Sequence, residues 1–334
     1  MSQVNQKDAA AYLALVTYAF HKTPTGGAEA FYQLLRQSSV HAHHDNDQLT
    51  SLVVDTHFQV NFSGQAVAMS GIGYVASYPE YRGNGAASRL LTEILQENYA
   101  KGTIFSYLAP FSYQFYRQFG YDYVFNQKRY EIEAADFPRG QKTDLTVRRL
   151  PFDIAQADLA RVHQQADNHG SLVRGTFEWT YYFTLKKQPQ FALVYDGEVA
   201  KGYVIYDFVG MDFIIYELLV LDEVAKQALY RFIASHGGAF ERFLYTAPDN
   251  TGLERDMLEP SRANVTLLPY MMARLVNVSE FLKRFPIHLD KRITVVDEVL
   301  PANNLTFGEG EAVTMSIAEL TKEVLQGAIL REYF

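Results

Sequence analysis

Cysteine is missing from all 334 residues, which excludes disulfides, a thiolate nucleophile and cysteine-ligated zinc. Any acyl transfer by this chain has to do without a cysteinyl acyl-enzyme. Long apolar runs are missing as well: none approaches the roughly 20 residues of a membrane span. The first eight residues are polar, so neither insertion nor secretion is indicated and a cytoplasmic location is expected. There is no Gly-x-Ser-x-Gly elbow for a nucleophilic serine. No Gly-Lys-Ser/Thr follows a glycine loop, and the third glycine of the dinucleotide fingerprint is absent, which argues against nucleoside triphosphates and NAD. Basic excess is lacking too. A net charge of -8 speaks against nucleic acid as the main partner and suits a cationic substrate. Tryptophan occurs once, whereas Phe and Tyr number 23 each, so the aromatic mass for cores and pocket walls comes from those two. With 48% hydrophobic residues, the length is enough for two or three domains.

The most informative stretch runs Val75-Ala76-Ser77-Tyr78-Pro79-Glu80-Tyr81-Arg82-Gly83-Asn84-Gly85-Ala86-Ala87 and continues into Ser88-Arg89-Leu90-Leu91. An apolar run ends at a proline, a glycine-punctuated turn carries one arginine, and an amphipathic pattern begins, which predicts a strand, a loop and a helix start. The first backbone N–H groups of a helix lack intrahelical partners, and small residues at Gly83, Gly85 and Ala87 let an anion approach them.

Around this stretch the pattern predicts helices over 8–20 and 28–37, a hairpin of 40–44 with 48–54, a strand over 56–62 and a long strand over 65–78. Gly71 and Gly73 mark a bulge or a ligand-facing backbone in the last of these. A helix over 86–100, a strand over 103–108 and a short helix from Ser112 to Gly120 follow. The phrase Ala135-Asp136-Phe137-Pro138-Arg139-Gly140 reads as a linker, after which the pattern restarts. A helix over 153–165, a hairpin of 190–196 with 198–208, a strand over 212–221 and a helix over 223–235 repeat the earlier order. No arginine and glycine loop repeats with them. Asp222 and Glu223 stand there instead and would repel a pyrophosphate. His41 and His43 alternate along one strand, near His44, Asp45 and Asp47, but a polar hairpin tip is ordinarily solvated, and no metal is expected.

The spacing Arg82-x-x-Gly85-x-Ala87, with Pro79 ahead of it, resembles the acyl-CoA pyrophosphate loop of the GNAT superfamily of N-acetyltransferases. That resemblance implies an α+β fold and acetyl-CoA as co-substrate. Arg82, Gly83, Gly85, Ala86 and Ala87 would hold the pyrophosphate, and backbone groups at Val75 and Ser77 the pantetheine arm. Tyr116, in Phe-Tyr-x-x-Phe-Gly-Tyr on the helix after the second central strand, stands where the family commonly places the acid that protonates the leaving thiolate. With residues 264–286, the context of Tyr116 also resembles the enhanced-intracellular-survival (Eis) type, which joins an active GNAT lobe, a degenerate one and a sterol-carrier-like lobe.

On that resemblance residues 1–135 form the catalytic lobe, 136–285 the degenerate lobe and 286–334 an abbreviated third lobe. The general base is the C-terminal carboxylate, here that of Phe334, and Glu332 contributes to binding the amine. The implied reaction is direct attack of a primary amine on acetyl-CoA, with aminoglycosides, lysine side chains or polyamines as acceptors. The family also implies homo-oligomers built from trimers, such as hexamers. The competing class is a protein that binds acyl-CoA or lipid without turnover.

Overall fold

Two helices, α1 (Gln6–Phe20) and α2 (Gly27–Arg36), lead into an antiparallel meander of β1 (Ser38–Asp45), β2 (Gln48–Phe62) and β3 (Gln65–Ser77) in the computed structural model, which describes residues 6–286 and 290–332. Alternation along β2 decides which helix covers which face. Leu52 and Val54 meet Leu15, Val16, Phe31 and Leu35 of α1 and α2. Val53, between them, points the other way and joins Leu90, Leu91 and Ile94 of α3 (Ala86–Ala100). The apolar stripe read in residues 86–100 is therefore the face that α3 buries against the sheet. β4 (Phe105–Leu108) then runs parallel to β3, and α4 (Tyr113–Arg117) follows. The Ser112 hydroxyl accepts from Phe115 N–H at 3.2 Å, and Gly120 closes the segment at φ 75°, so both caps stand where the sequence puts them.

β2 is one strand rather than the two expected. Asp55, which lies between the two expected strands, is 1% exposed and bonded by Ser70 and Asn98. A buried polar group with its partners in place does not end a strand.

The chain clusters into two units: the part through Val124 with Tyr270–Ala328, and Phe125–Pro269 with the tail Ile329–Glu332. The second unit begins within β5 (Asp122–Glu133) and holds β6 (Thr146–Arg149), α5 (Phe152–Gln165) and α6 (Thr176–Thr180), with a π-helical turn at Tyr181–Leu185. β7 (Gln190–Asp196), β8 (Val199–Val209), β9 (Asp212–Val220), α7 (Glu223–Ala234) and β10 (Arg242–Pro248) complete it. Here β9 and β10 are the parallel pair, and Ala225, Ala228, Leu229 and Ile233 of α7 pack on Val204, Phe213 and Phe243.

Each sheet is finished by a strand from elsewhere in the chain. Residues 127–133 of β5 pair antiparallel with β10, and residues 272–275 of β11 (Asn264–Leu275) pair antiparallel with β4. The sequence places the first boundary after residue 135, whereas the ladder to β10 draws residues from 125 onward into the second unit.

The C-terminal region brings α8 (Val278–Arg284), β12 (Lys291–Val296), β13 (Thr306–Phe307), β14 (Glu311–Ser316) and α9 (Ile317–Val324), with β12 between its two partners. Expected as a lobe of its own, it clusters with the first unit. Arg274, fully buried, donates to Asp297 at 2.6 Å, to Leu275 O at 3.0 Å and to Phe119 O. Asp297 also accepts from Asn303 at 2.9 Å, while Leu275 N–H donates to Thr321 at 2.9 Å. Asp297 thus supplies the counter-charge that a buried arginine requires. No helix of the described residues is long and apolar enough to cross a membrane.

Candidate active site

The site begins with a flaw in a ladder. Leu52 faces Ala76 and Val54 faces Gly73, so Tyr74 and Val75 together oppose Val53 in a β-bulge. Tyr74 takes the left-handed conformation at φ 49°, which costs a residue with a Cβ roughly 1–2 kcal/mol. Its ring is packed edge-on against Phe31 at 5.1 Å and Phe20 at 6.2 Å, contacts that offset the cost. The parallel pairing of β3 with β4 stops at Ile72 and Leu108, although β3 runs on to Ser77. Past Ile72, β3 runs on without β4 as a ladder partner. Gly71 and Gly73 signal this bulge in the sequence, but the residue with the unusual backbone is Tyr74. Val75 packs partly buried against the core under α3, and Ser77 donates to Ser51 at 2.8 Å.

A 3-10 turn at Pro79–Tyr81 then leads into the loop. Gly83 and Gly85 sit at φ 81° and 80°, where a side chain is strained. A Cβ at Gly83 would meet nothing within 4 Å, so the backbone there is bare and approachable. Gly85 is the N-cap of α3 and supplies no side-chain acceptor, and the first turn holds no acidic residue. Apart from the Ala86 N–H, the first-turn N–H groups and the positive end of the macrodipole therefore have no side-chain cap. Ala86 is buried beneath the loop, Ala87 half-buried, and Arg82 exposed, without an ion-pair partner among the described residues. Asn84 and Arg89, which the sequence reading passed over, brace the turn: Asn84 Oδ1 accepts from Ala86 N–H at 3.0 Å, and Arg89 donates to Asn84 O at 3.0 Å. The arrangement is an anion cradle of backbone donors with arginine beside it.

Tyr116 of α4 is 2% exposed in the same core as Val53, Ile72, Leu90 and Leu108. Its ring stands 5.3 Å from Phe111, 5.1 Å from Phe115 and 6.2 Å from Tyr121. Burial, and next the Tyr121 hydroxyl, push its pKa well up, so the phenol keeps its proton at neutral pH. The Tyr121 hydroxyl in turn bonds Ser106 at 2.7 Å. His41 and His43 go to separate neighbours: His41 lies 3.9 Å from Glu97, and His43 bonds Thr50 at 2.9 Å. No group of three or more metal-ligating side chains forms among the described residues.

The remaining sequence-predicted residues belong to the tail. Phe334 lies outside the described residues. Glu332, expected to meet the amine, is 3% exposed in the second unit, where Arg174 Nε donates to one of its oxygens at 2.8 Å and Leu172 N–H to the other at 3.1 Å. Both oxygens are thus engaged within the protein. Arg174 turns its other two nitrogens to Glu217 at 2.9 and 2.6 Å and stacks on Trp179 at 4.9 Å. Burial alone would raise the Glu217 carboxyl, but the fork from Arg174 brings it down to about 2. Glu332 has one guanidinium bond only, and burial carries it above the usual carboxylate value. The backbone of the tail is fixed as well, with Ile329 O accepting from Ser171 at 2.6 Å and Arg331 N–H donating to the same hydroxyl at 3.1 Å.

Two family models, each described as an acetyltransferase (GNAT) domain, match residues 1–124 and 170–275. A solved structure from Enterococcus faecalis, described as a conserved protein of unknown function and probable N-acyltransferase, is 32% identical. It aligns over 99% of this chain and 98% of its own, with a TM-score of 0.91. A GCN5-related N-acetyltransferase from Anabaena variabilis has 21% identity, TM-score 0.82 and coverage of 98% and 92%. Eis1 from Mycobacterium abscessus has 18% identity, TM-score 0.79 and coverage of 97% and 88%. Among curated proteins none matches the chain.

Proposed function

Since the chain belongs to the GNAT acetyltransferase family and carries two such domains, we propose that it transfers an acetyl group from acetyl-CoA to a primary amine, with the first unit as the catalytic one. The observation that carries this reading is the parting of β3 from β4 past Ile72 and Leu108, directly ahead of the Gly83 and Gly85 loop at the start of α3. The pyrophosphate would rest on the backbone of Gly83, Gly85, Ala86 and Ala87 beside Arg82, and the pantetheine arm would lie along Val75 and Ser77.

The amine, once deprotonated, attacks the thioester carbonyl in a ternary complex. The C–S bond breaks, the new C–N bond forms, and Tyr116 gives its proton to the departing sulfur. Phe334 supplies the base through its terminal carboxylate, and Glu332 contributes to binding the amine. The Eis type, an abbreviated sterol-carrier-like last region, and aminoglycosides, polyamines or lysine side chains as acceptors belong to the same proposal.

The test is thiol release from acetyl-CoA in the presence of an aminoglycoside, a polyamine and a lysine derivative. Amine-dependent release is expected with at least one of them. Acetyl-CoA binding with no release above the amine-free rate in all three would overturn the reading in favour of a protein that binds the thioester without turnover.

A further inference from the structure

The second unit holds a pocket that the reaction above does not use. It encloses about 520 Å³, within the range of small-molecule sites. Its walls are apolar. Leu150 follows β6, Phe152 opens α5, Pro189 and Phe191 stand at the start of β7, and Phe183 belongs to the π-helical turn. Phe152 and Phe191 meet at 5.5 Å. A π-helical turn is a rare irregularity that gathers at functional sites, and here it supplies part of a wall. The hydroxyl in the lining, that of Thr184, is engaged within its own segment, donating to Thr180 O at 2.6 Å. One cation lines the pocket as well. Arg148 is paired with Glu198 at 3.0 Å, whereas its neighbour Arg149 lines the pocket and has no ion-pair partner among the described residues.

The ladders put a second polar group beside that arginine. Arg149 stands opposite Ala192 of β7, and Tyr206 of β8 opposite Gln190, two residues from Ala192, so Arg149 and Tyr206 project from one face of the sheet. Tyr206 is fully buried, its hydroxyl has no hydrogen-bond partner, and Arg149 is the charged group that acts on it. An orphaned buried hydroxyl calls for an explanation. We propose that the pocket binds a medium-chain fatty acid, with its carboxylate on Arg149, the Tyr206 hydroxyl donating to one oxygen, and its chain along Phe152, Phe183 and Phe191. One guanidinium matches one negative charge. Apolar walls suit a chain without polar groups, whereas a sugar or a nucleotide would bury donors and acceptors unpaired. Binding here does not depend on acetyl transfer in the first unit.

Calorimetric titration of the full chain with octanoate, octanol and acetate tests this. Octanoate should bind saturably at one site per chain. Acetate, which lacks the chain, and octanol, which lacks the charge, should each bind about tenfold more weakly or not at all. Arg149→Met, at an exposed position, should lower octanoate affinity by about tenfold or more while octanol binding stays as it was. Tyr206→Phe keeps the ring in its stack on Phe213 and removes only the hydroxyl, so octanoate affinity should fall by about threefold or more. Native melting temperatures in the two variants, measured without ligand, would show that these losses are not losses of fold. An unchanged octanoate affinity in either variant overturns the proposal, as does octanol binding as tight as that of octanoate. Displacement of octanoate by acetyl-CoA would put the fatty acid in the first unit and overturn it too.

Discussion

The two units start from the same plan and end differently. In each, a helix crosses between two parallel strands, and in each the strands are paired for four residues only, 69–72 with 105–108 and 212–215 with 242–245. A register shift stands beside both, at Leu52/Val54 and at Ile205/Tyr206. In the first unit the helix begins at bare glycine. In the second, the Asp222 carboxyl accepts from Ala225 N–H at 2.8 Å, and Glu223 follows, so the anion site is closed by the chain's own anion. Glu217, on the part of β9 that has left β10, is taken by Arg174 and through it by the tail. A parting of strands that stays uncapped in one unit serves in the other to hold a piece of protein. The backbone geometry is shared, and a few side chains decide what it receives.

The largest effect should come from emptying the second cleft. Arg174→Met leaves Glu217 and Glu332 buried with no cation, a change worth about 3–5 kcal/mol. Urea denaturation should show that loss while acetyl-CoA affinity at the first unit stays within about twofold. The pH dependence follows with a definite sign. Because the folded pKa of Glu217 is lowered to about 2, its contribution is present above the unfolded value near 4.3 and disappears as the pH falls toward about 2. The variant should lack that acid limb. A stability change below about 1 kcal/mol would mean that the tail is held by its backbone bonds alone.

Next comes the loop. Gly85→Val forces a β-branched residue to φ 80° and sets its side chain among the donors that should face the pyrophosphate. Acetyl-CoA affinity should drop by about 10²-fold, some 2.7 kcal/mol. The fold should survive, since the backbone strain is only about 1–2 kcal/mol. Calorimetric titration checks both. Undiminished affinity would place the cofactor elsewhere and remove the distinction drawn between the helix starts.

How far these differences could be read from the sequence depends on the range of the interactions. The Arg82 to Ala87 loop, the α3 stripe, the Ser112 and Gly120 caps and the restart after residue 140 are local patterns, and each was legible. Asp222 could be read as hostile to phosphate because a cap lies within three residues of the group it bonds. The exchange of β5 and β11 could not, since strand partners are chosen by pairing over long separations. The partners that keep Asp55 inside one strand, Ser70 and Asn98, are 15 and 43 residues away. Glu332 was read as binding the amine, and its partner Arg174, 158 residues distant, could not be read beside it. Tyr74 gave no signal at all: nothing about a tyrosine between Gly73 and Val75 announces a left-handed backbone.

The smallest expected effect is the sharpest on what closed the second unit. Asp222→Ala removes the cap of α7 and should cost about 1 kcal/mol, the usual worth of one N-cap acceptor. It also frees the Ala225 N–H that the Asp222 carboxylate now holds. If the cap were the sole obstacle, a second acetyl-CoA would now bind. We expect the titrated stoichiometry to stay at that of the native protein, for two reasons. Glu223 still places a carboxylate in the first turn, and Arg174, Glu217 and Glu332 remain in the parted strands where the pantetheine arm would have to lie. An increase to two sites per chain in Asp222→Ala would show that the cap by itself separates the two units, and that the tail occupies a cleft still able to receive the thioester.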